Sequence, residues 1–85
     1  MIVWVHVMLK NGVLDPQGQA IADALHRLGH PEVAEVRAGK LFRLDVSVSD
    51  PAKARDVGAK MADRLLANPV IEDFEVEVEA GEVTR

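Results

Sequence analysis

The sequence contains no cysteine, so disulfides, thiolate metal sites and thiol nucleophiles are excluded together. Aromatic side chains are almost as scarce. Trp4, Phe42 and Phe74 stand without a single tyrosine, too few for the stacking platforms that hold single-stranded nucleic acid. Basic residues are outnumbered, 10 Lys and Arg against 14 Asp and Glu, for a formal net charge of −4. No broad basic surface is available to a phosphate backbone, and no nucleic acid partner is expected. No apolar run approaches the roughly 20 residues of a membrane span. Met1 leads straight into strand-like residues without the basic, apolar and cleavage regions of a signal peptide. The expected location is therefore the cytoplasm, with no membrane partner.

Catalytic constellations are missing too. His6, His26 and His30 are the only imidazoles. His26 and His30 have i,i+4 spacing, but Gly29 and Pro31 put His30 beyond any helix end and no thiolate is near, so they read as solvated or capping residues and no metal is expected. Gly12 and Gly18 do not have phosphate-loop spacing. Ser47, Ser49 and Thr84 have no neighbouring base. Glu75, Glu77 and Glu79 share one strand face, which reads as a solvated edge rather than a cation site. No catalytic residue can be nominated.

What is present is the balance of an ordered domain, 48% apolar and 28% charged over 85 residues. One domain is expected over residues 1–80, with a tail at 81–85. That size is close to the point where association between copies supplies extra burial. Ile2 to Leu9 alternates as a strand, with Val3, Val5, Val7 and Leu9 on one face and Ile2, Trp4, His6 and Met8 on the other. Helices cover one side of such a sheet, so Trp4, His6 and Met8 are expected to meet another copy of the chain.

Asp15-Pro16 is a helix start, the carboxylate accepting from first-turn amides and Pro fitting the first helical position. Ile21, Ala24, Leu25 and Leu28 then recur at helical spacing as a core face, and Gly29 with Pro31 ends the helix. Val33 to Val48 reads as a hairpin with Gly39-Lys40 at its tip, Ala34, Val36 and Ala38 beside Phe42, Leu44, Val46 and Val48; a three-residue turn would set Glu35 opposite Arg43. Asp50-Pro51 repeats the start signal. Ala54, Val57, Met61 and Leu65 form the expected stripe of a second helix, ended by Asn68-Pro69. Phe74, Val76 and Val78 alternate with the glutamates as a last strand. The order βαββαβ predicts an α+β, ferredoxin-like two-layer sandwich: a four-stranded antiparallel sheet, first and third strands central, with both helices on one face.

Some residues exceed what this fold needs. Val13 and Leu14 are apolar in a loop, and Gly18 sits inside a helical first turn, where it costs up to about 1 kcal/mol relative to Ala. Leu9 to Gly18, Val36 to Lys40 and Leu66 to Phe74, in that order, resemble the three signature regions of the PurS family, the small subunits of phosphoribosylformylglycinamidine synthase. The resemblance runs from about Val3 to Val78.

The resemblance implies a non-catalytic role in de novo purine synthesis. A glutaminase subunit releases ammonia, and a larger synthetase subunit uses ATP and Mg²⁺ to turn formylglycinamide ribonucleotide into formylglycinamidine ribonucleotide. The small subunit, a homodimer or dimer of dimers that binds no cofactor itself, bridges the two and assists ammonia transfer. On this reading Val13, Leu14, Gln17 and Gly18 dock a partner, with Gly18 admitting its backbone closely; alternatively Val13 and Leu14 fold back as a staple on the first helix. Arg37, Lys40 and Arg43 form a second contact or are ordinary surface charges. Asn68, with Pro69 to Ile71, is a contact loop or sets the angle of the last strand. The competing function is a ferredoxin-like regulatory module that senses a small molecule.

Overall fold

The computed structural model describes residues 1–79; the expected tail at 81–85 lies outside them. Strand β1 spans Ile2–Leu9, helix α1 Pro16–Arg27, strand β2 Gly39–Asp45, helix α2 Pro51–Met61 and strand β3 Glu72–Val78, with a π turn over Ala62–Leu66 prolonging α2. The sheet is antiparallel in the order β2-β1-β3. The class is α+β, as the alternating and helical periods predict. The strand number is not: among the described residues the sheet has three strands, not four.

The missing strand is residues 33–38, which form no regular element and do not join the ladder. Their period-two apolar pattern is real, but other groups claim their backbone. Asp15 Oδ2 accepts the Ala38 N–H at 2.8 Å, and Val36 O lies where a Cβ on Gly18 would stand. The expected hairpin and its Glu35 to Arg43 pairing do not form. Gly39 and Lys40, expected at the tip, instead start β2 opposite Met8 and Val7. β1 is central as expected, whereas β2 becomes an edge.

Val3, Val5 and Val7 are completely buried and define the covered face of the sheet, joined by Phe42 and Leu44 from β2 and Phe74, Val76 and Val78 from β3. α2 packs on β1 and β3 through Ala54, Gly58 and Ala62, all buried. The expected stripe is corrected: of Ala54, Val57, Met61 and Leu65, only Ala54 is fully buried, and Leu65 is 83% exposed. Small side chains win because they let the helix approach the sheet. A Cβ on Gly58 would stand 2.7 Å from Val3 Cγ1.

The second correction concerns α1, which is not packed along the sheet or α2. Only Gly18 and Ala22 of this helix are buried, against residues 33–38, and Ile21 and Leu28 of the expected core face are exposed. Only α2 therefore covers the inner face, where two helices were expected.

Candidate functional site

The loop from Lys10 to Asp15 joins β1 to α1, and the sequence dictates how it is held. Gly12 adopts φ 89°, the left-handed region that favours glycine, and Val13 N–H returns to Lys10 O at 3.1 Å. Asp15 caps α1 as its sequence predicts, Oδ1 accepting Gly18 N–H at 2.8 Å. Its second oxygen binds Ala38, so one carboxylate ties the helix start to the segment before β2. Asp15 is only 9% exposed. The Gly18 and Ala38 amides, then the nearby Arg37 guanidinium, hold its pKa below the usual Asp value.

Arg37 completes the arrangement from the other side. Its guanidinium donates to Leu9 O at 3.2 Å, Lys10 O at 3.1 Å and Val13 O at 3.4 Å, gathering three carbonyls of the end of β1 and the loop on one side chain. The loop is thereby fixed at both ends. Beside it lies a cavity of about 490 Å³ between the loop, α1 and residues 34–37, lined in part by Val13, Leu14, His26 and Arg37. Leu14 is 79% exposed and Val13 half-buried, so Leu14 does not staple α1. Gln17 is exposed. Gly18 is buried under its own chain's Val36 carbonyl, which fills the close approach expected for a partner backbone.

Lys40 and Asn68 gather around a residue that the sequence did not single out, Glu72. Glu72 Oε1 accepts Asn68 N–H at 2.7 Å, and Oε2 lies 3.4 Å from Lys40 Nζ. The Asn68 amide, then Lys40, keep the Glu72 pKa below the ordinary Glu value. Asn68 also accepts Val70 N–H at 3.0 Å through its side chain, making 68–72 a self-stitched turn. Lys10 N–H to Ile71 O at 2.8 Å joins this turn to the first loop. The expected docking residues thus form two neighbouring groups at one end of the sheet. The available signal was Asn68 four residues before Glu72, an acceptor placed to close a turn after Pro69.

Trp4, His6 and Met8 lie on the uncovered face, as alternation requires. Trp4 Nε1 donates to Glu79 Oε1 at 2.8 Å, Arg43 stands 6.0 Å from its ring centroid, and His6 Nε2 is 3.3 Å from Glu77 Oε1. His26 and His30 do not converge: His26 Nε2 is 2.7 Å from Val33 O, whereas His30 lies beside Glu32. Among the described residues no group of three or more His, Asp or Glu side chains is placed to hold a metal ion.

Comparison with known proteins decides the family. The family model for PurS, phosphoribosylformylglycinamidine (FGAM) synthase, matches residues 2–80. The chain belongs to the PurS family. The PurS subunit of Mycobacterium leprae is 51% identical over 72 residues, covering 85% of this chain and 87% of that protein. The crystal structure of Methanocaldococcus jannaschii PurS, described as one of the subunits of formylglycinamide ribonucleotide amidotransferase in the purine biosynthetic pathway, superposes with a TM-score of 0.84 at 38% identity, covering 95% of this chain and 98% of that one. A structure of PurLQS from Thermotoga maritima matches with a TM-score of 0.79 at 31% identity, covering 89% and 94%. Membership in PurS makes this chain a subunit of FGAM synthase, in purine biosynthesis. Among its described residues no helix is long and apolar enough to cross a membrane.

Proposed function

We propose that this PurS-family chain is the non-catalytic bridge of FGAM synthase, joining a glutaminase subunit to an ATP-dependent synthetase subunit and assisting the passage of ammonia between them. ATP and Mg²⁺ act on the synthetase, in the cytoplasm, and this chain carries no cofactor of its own. The observation that carries the reading is Leu14, an apolar side chain held out to solvent on a loop that Asp15 and Arg37 fix at both ends. A pre-ordered apolar anchor loses little freedom on binding and suits the centre of an interface. The match to a PurLQS structure supports a multi-subunit setting.

Val13, Gln17, Arg37, Lys40 and Asn68 surround that anchor or its neighbouring turn. Gly18 supports them from beneath. Copies of the chain associate through Trp4, His6 and Met8 to give a homodimer or dimer of dimers. The test is reconstitution with both partners. Leu14→Asp combined with Gln17→Ala is expected to leave the chain folded and to abolish glutamine-dependent FGAM synthesis, while added ammonium salt still supports it. Unchanged glutamine-dependent synthesis would remove the loop from the interface.

A further inference from the structure

Asn11-Gly12 carries a chemistry that neither the fold nor the proposed function uses. An asparagine followed by glycine is prone to attack by the next backbone nitrogen, because glycine has no Cβ to shield that nitrogen and its backbone is permissive. The sequence has two asparagines, Asn11 and Asn68. Asn68 precedes Pro69, whose nitrogen has no proton to give up, so Asn11 is the one that can react in this way. Gln17-Gly18 is the nearest analogue, but its ring would be larger and the Gly18 N–H is already donated to Asp15 Oδ1 at 2.8 Å.

The pair is accessible. Asn11 and Gly12 are both exposed, and beyond the chain neighbours no heavy atom lies within 4 Å of where a Gly12 Cβ would stand. Among the described residues neither the Asn11 carboxamide nor the Gly12 N–H has a hydrogen-bond partner within the chain. The backbone, however, is held. Val13 N–H donates to Lys10 O at 3.1 Å, with Gly12 at φ 89° and Asn11 at negative φ, the pattern of a type II turn. In that turn the Gly12 nitrogen points away from the Asn11 side chain, so the turn must open before the two can meet. Arg37 opposes opening by donating to the carbonyls at both ends, Lys10 O at 3.1 Å and Val13 O at 3.4 Å.

We infer that Asn11-Gly12 is a self-modification site, converting to isoaspartate and aspartate when the turn opens, and that Arg37 slows the conversion by keeping it closed. The Gly12 nitrogen gives up its proton and bonds to Asn11 Cγ. The Cγ–Nδ2 bond breaks and ammonia leaves with that proton, closing a succinimide ring. Water then opens the ring, at Cγ to leave aspartate or at the main-chain carbonyl to leave isoaspartate. Either product adds a negative charge to the loop. Isoaspartate also adds a methylene to the main chain between Lys10 and Val13, which undoes the turn that precedes Leu14. The inference goes beyond the bridging reading and does not rest on it.

The experiment incubates the full chain, folded or unfolded in guanidinium chloride, in mildly alkaline heavy-oxygen water and maps its peptides by mass. Heavy oxygen is expected at Asn11 and not at Asn68, and the modified peptide is expected to accept a methyl group from an isoaspartate methyltransferase. Conversion follows the open fraction of the turn, so it is expected to be about tenfold slower or more in the folded chain, and about tenfold faster in folded Arg37→Ala than in the folded parent. Arg37→Lys, which keeps the charge but not the fork, is expected to accelerate it as well and serves if Arg37→Ala does not fold. No label at Asn11 of the folded chain, after an incubation long enough to convert the unfolded chain many times over, would overturn the site. Equal folded and unfolded rates, or folded Arg37 variants that convert no faster, would overturn the control by the turn. None of these readouts depends on FGAM synthesis, so failure here is distinguishable from failure of the bridging reading.

Discussion

Asp15 performs at one carboxylate what two elements would otherwise do separately, capping α1 and holding the strand-like segment that follows it. A carboxylate with a depressed folded pKa contributes stability that is present above its unfolded value and is lost as pH falls through the folded one. For Asp15 that loss lies below the ordinary Asp value of 3.8, and for Glu72 below the ordinary Glu value of 4.5. A titration from about pH 5 to about pH 2 followed by NMR is expected to move the Gly18 and Ala38 amides together as Asp15 takes up its proton. Asp15→Asn is expected to remove that step, because a carboxamide does not titrate in this range, and its nitrogen, unable to accept, leaves one of the two amides without its partner. Amides that move at the unperturbed Asp value would contradict the pairing.

Gly18 makes a second prediction at the same scale. A Cβ there would stand 2.7 Å from Asp15 Oδ2 and closer still to Val36 O, and neither the pinned carboxylate nor the backbone carbonyl is free to withdraw. Gly18→Ala gains about 1 kcal/mol of helix propensity but incurs the roughly 1–3 kcal/mol of overpacking. Net loosening is expected, read as faster hydrogen exchange at Ala38. The cap was legible in Asp15-Pro16 because capping is local. Arg37 was legible only as a charge, since its three carbonyl acceptors lie 24 to 28 residues away in the chain.

At the scale of elements, periodicity found each helix and each of the three strands but misjudged which faces are covered. In α2 the large apolar residues looked like the core, yet Ala54, Gly58 and Ala62 are the ones against the sheet. Small residues at i,i+4 spacing were the overlooked signal: they let a helix lie close on β-branched side chains. Gly58→Val tests this, because its Cβ would meet Val3 Cγ1 at 2.7 Å and Val76 Cγ1 at 3.2 Å, both stiff side chains. A loss of roughly 1–3 kcal/mol is expected from overpacking, seen as a lower thermal midpoint. An unchanged midpoint would mean that α2 lies further from β1 than described. Residues 33–38 were misread for a different reason. Alternation marks a candidate strand, but ladder pairing needs free N–H and C=O groups, and here Asp15 takes the Ala38 N–H while His26 of α1 lies 2.7 Å from Val33 O.

Across the whole molecule, the fully buried part of the core is small. Its fully buried side chains are valines and alanines, each contributing less than the leucines and phenylalanines that usually dominate. Large apolar side chains remain outside, among them Leu14, Leu28, Leu65 and Val70. Where association covers them it adds burial, and folding and assembly then form one equilibrium in which stability depends on concentration. Each tenfold rise in protein concentration changes the free energy of a dimer by about 1.4 kcal/mol. With an unfolding entropy of about 2.1 cal/mol/K per residue, a pair of 85-residue chains is expected to gain roughly 4 °C in thermal midpoint per decade. A dilution series by calorimetry or circular dichroism measures this directly. A midpoint that stays constant over two decades would show that each chain folds by itself, leaving the exposed faces of α1 and the outer sheet to partners other than this chain.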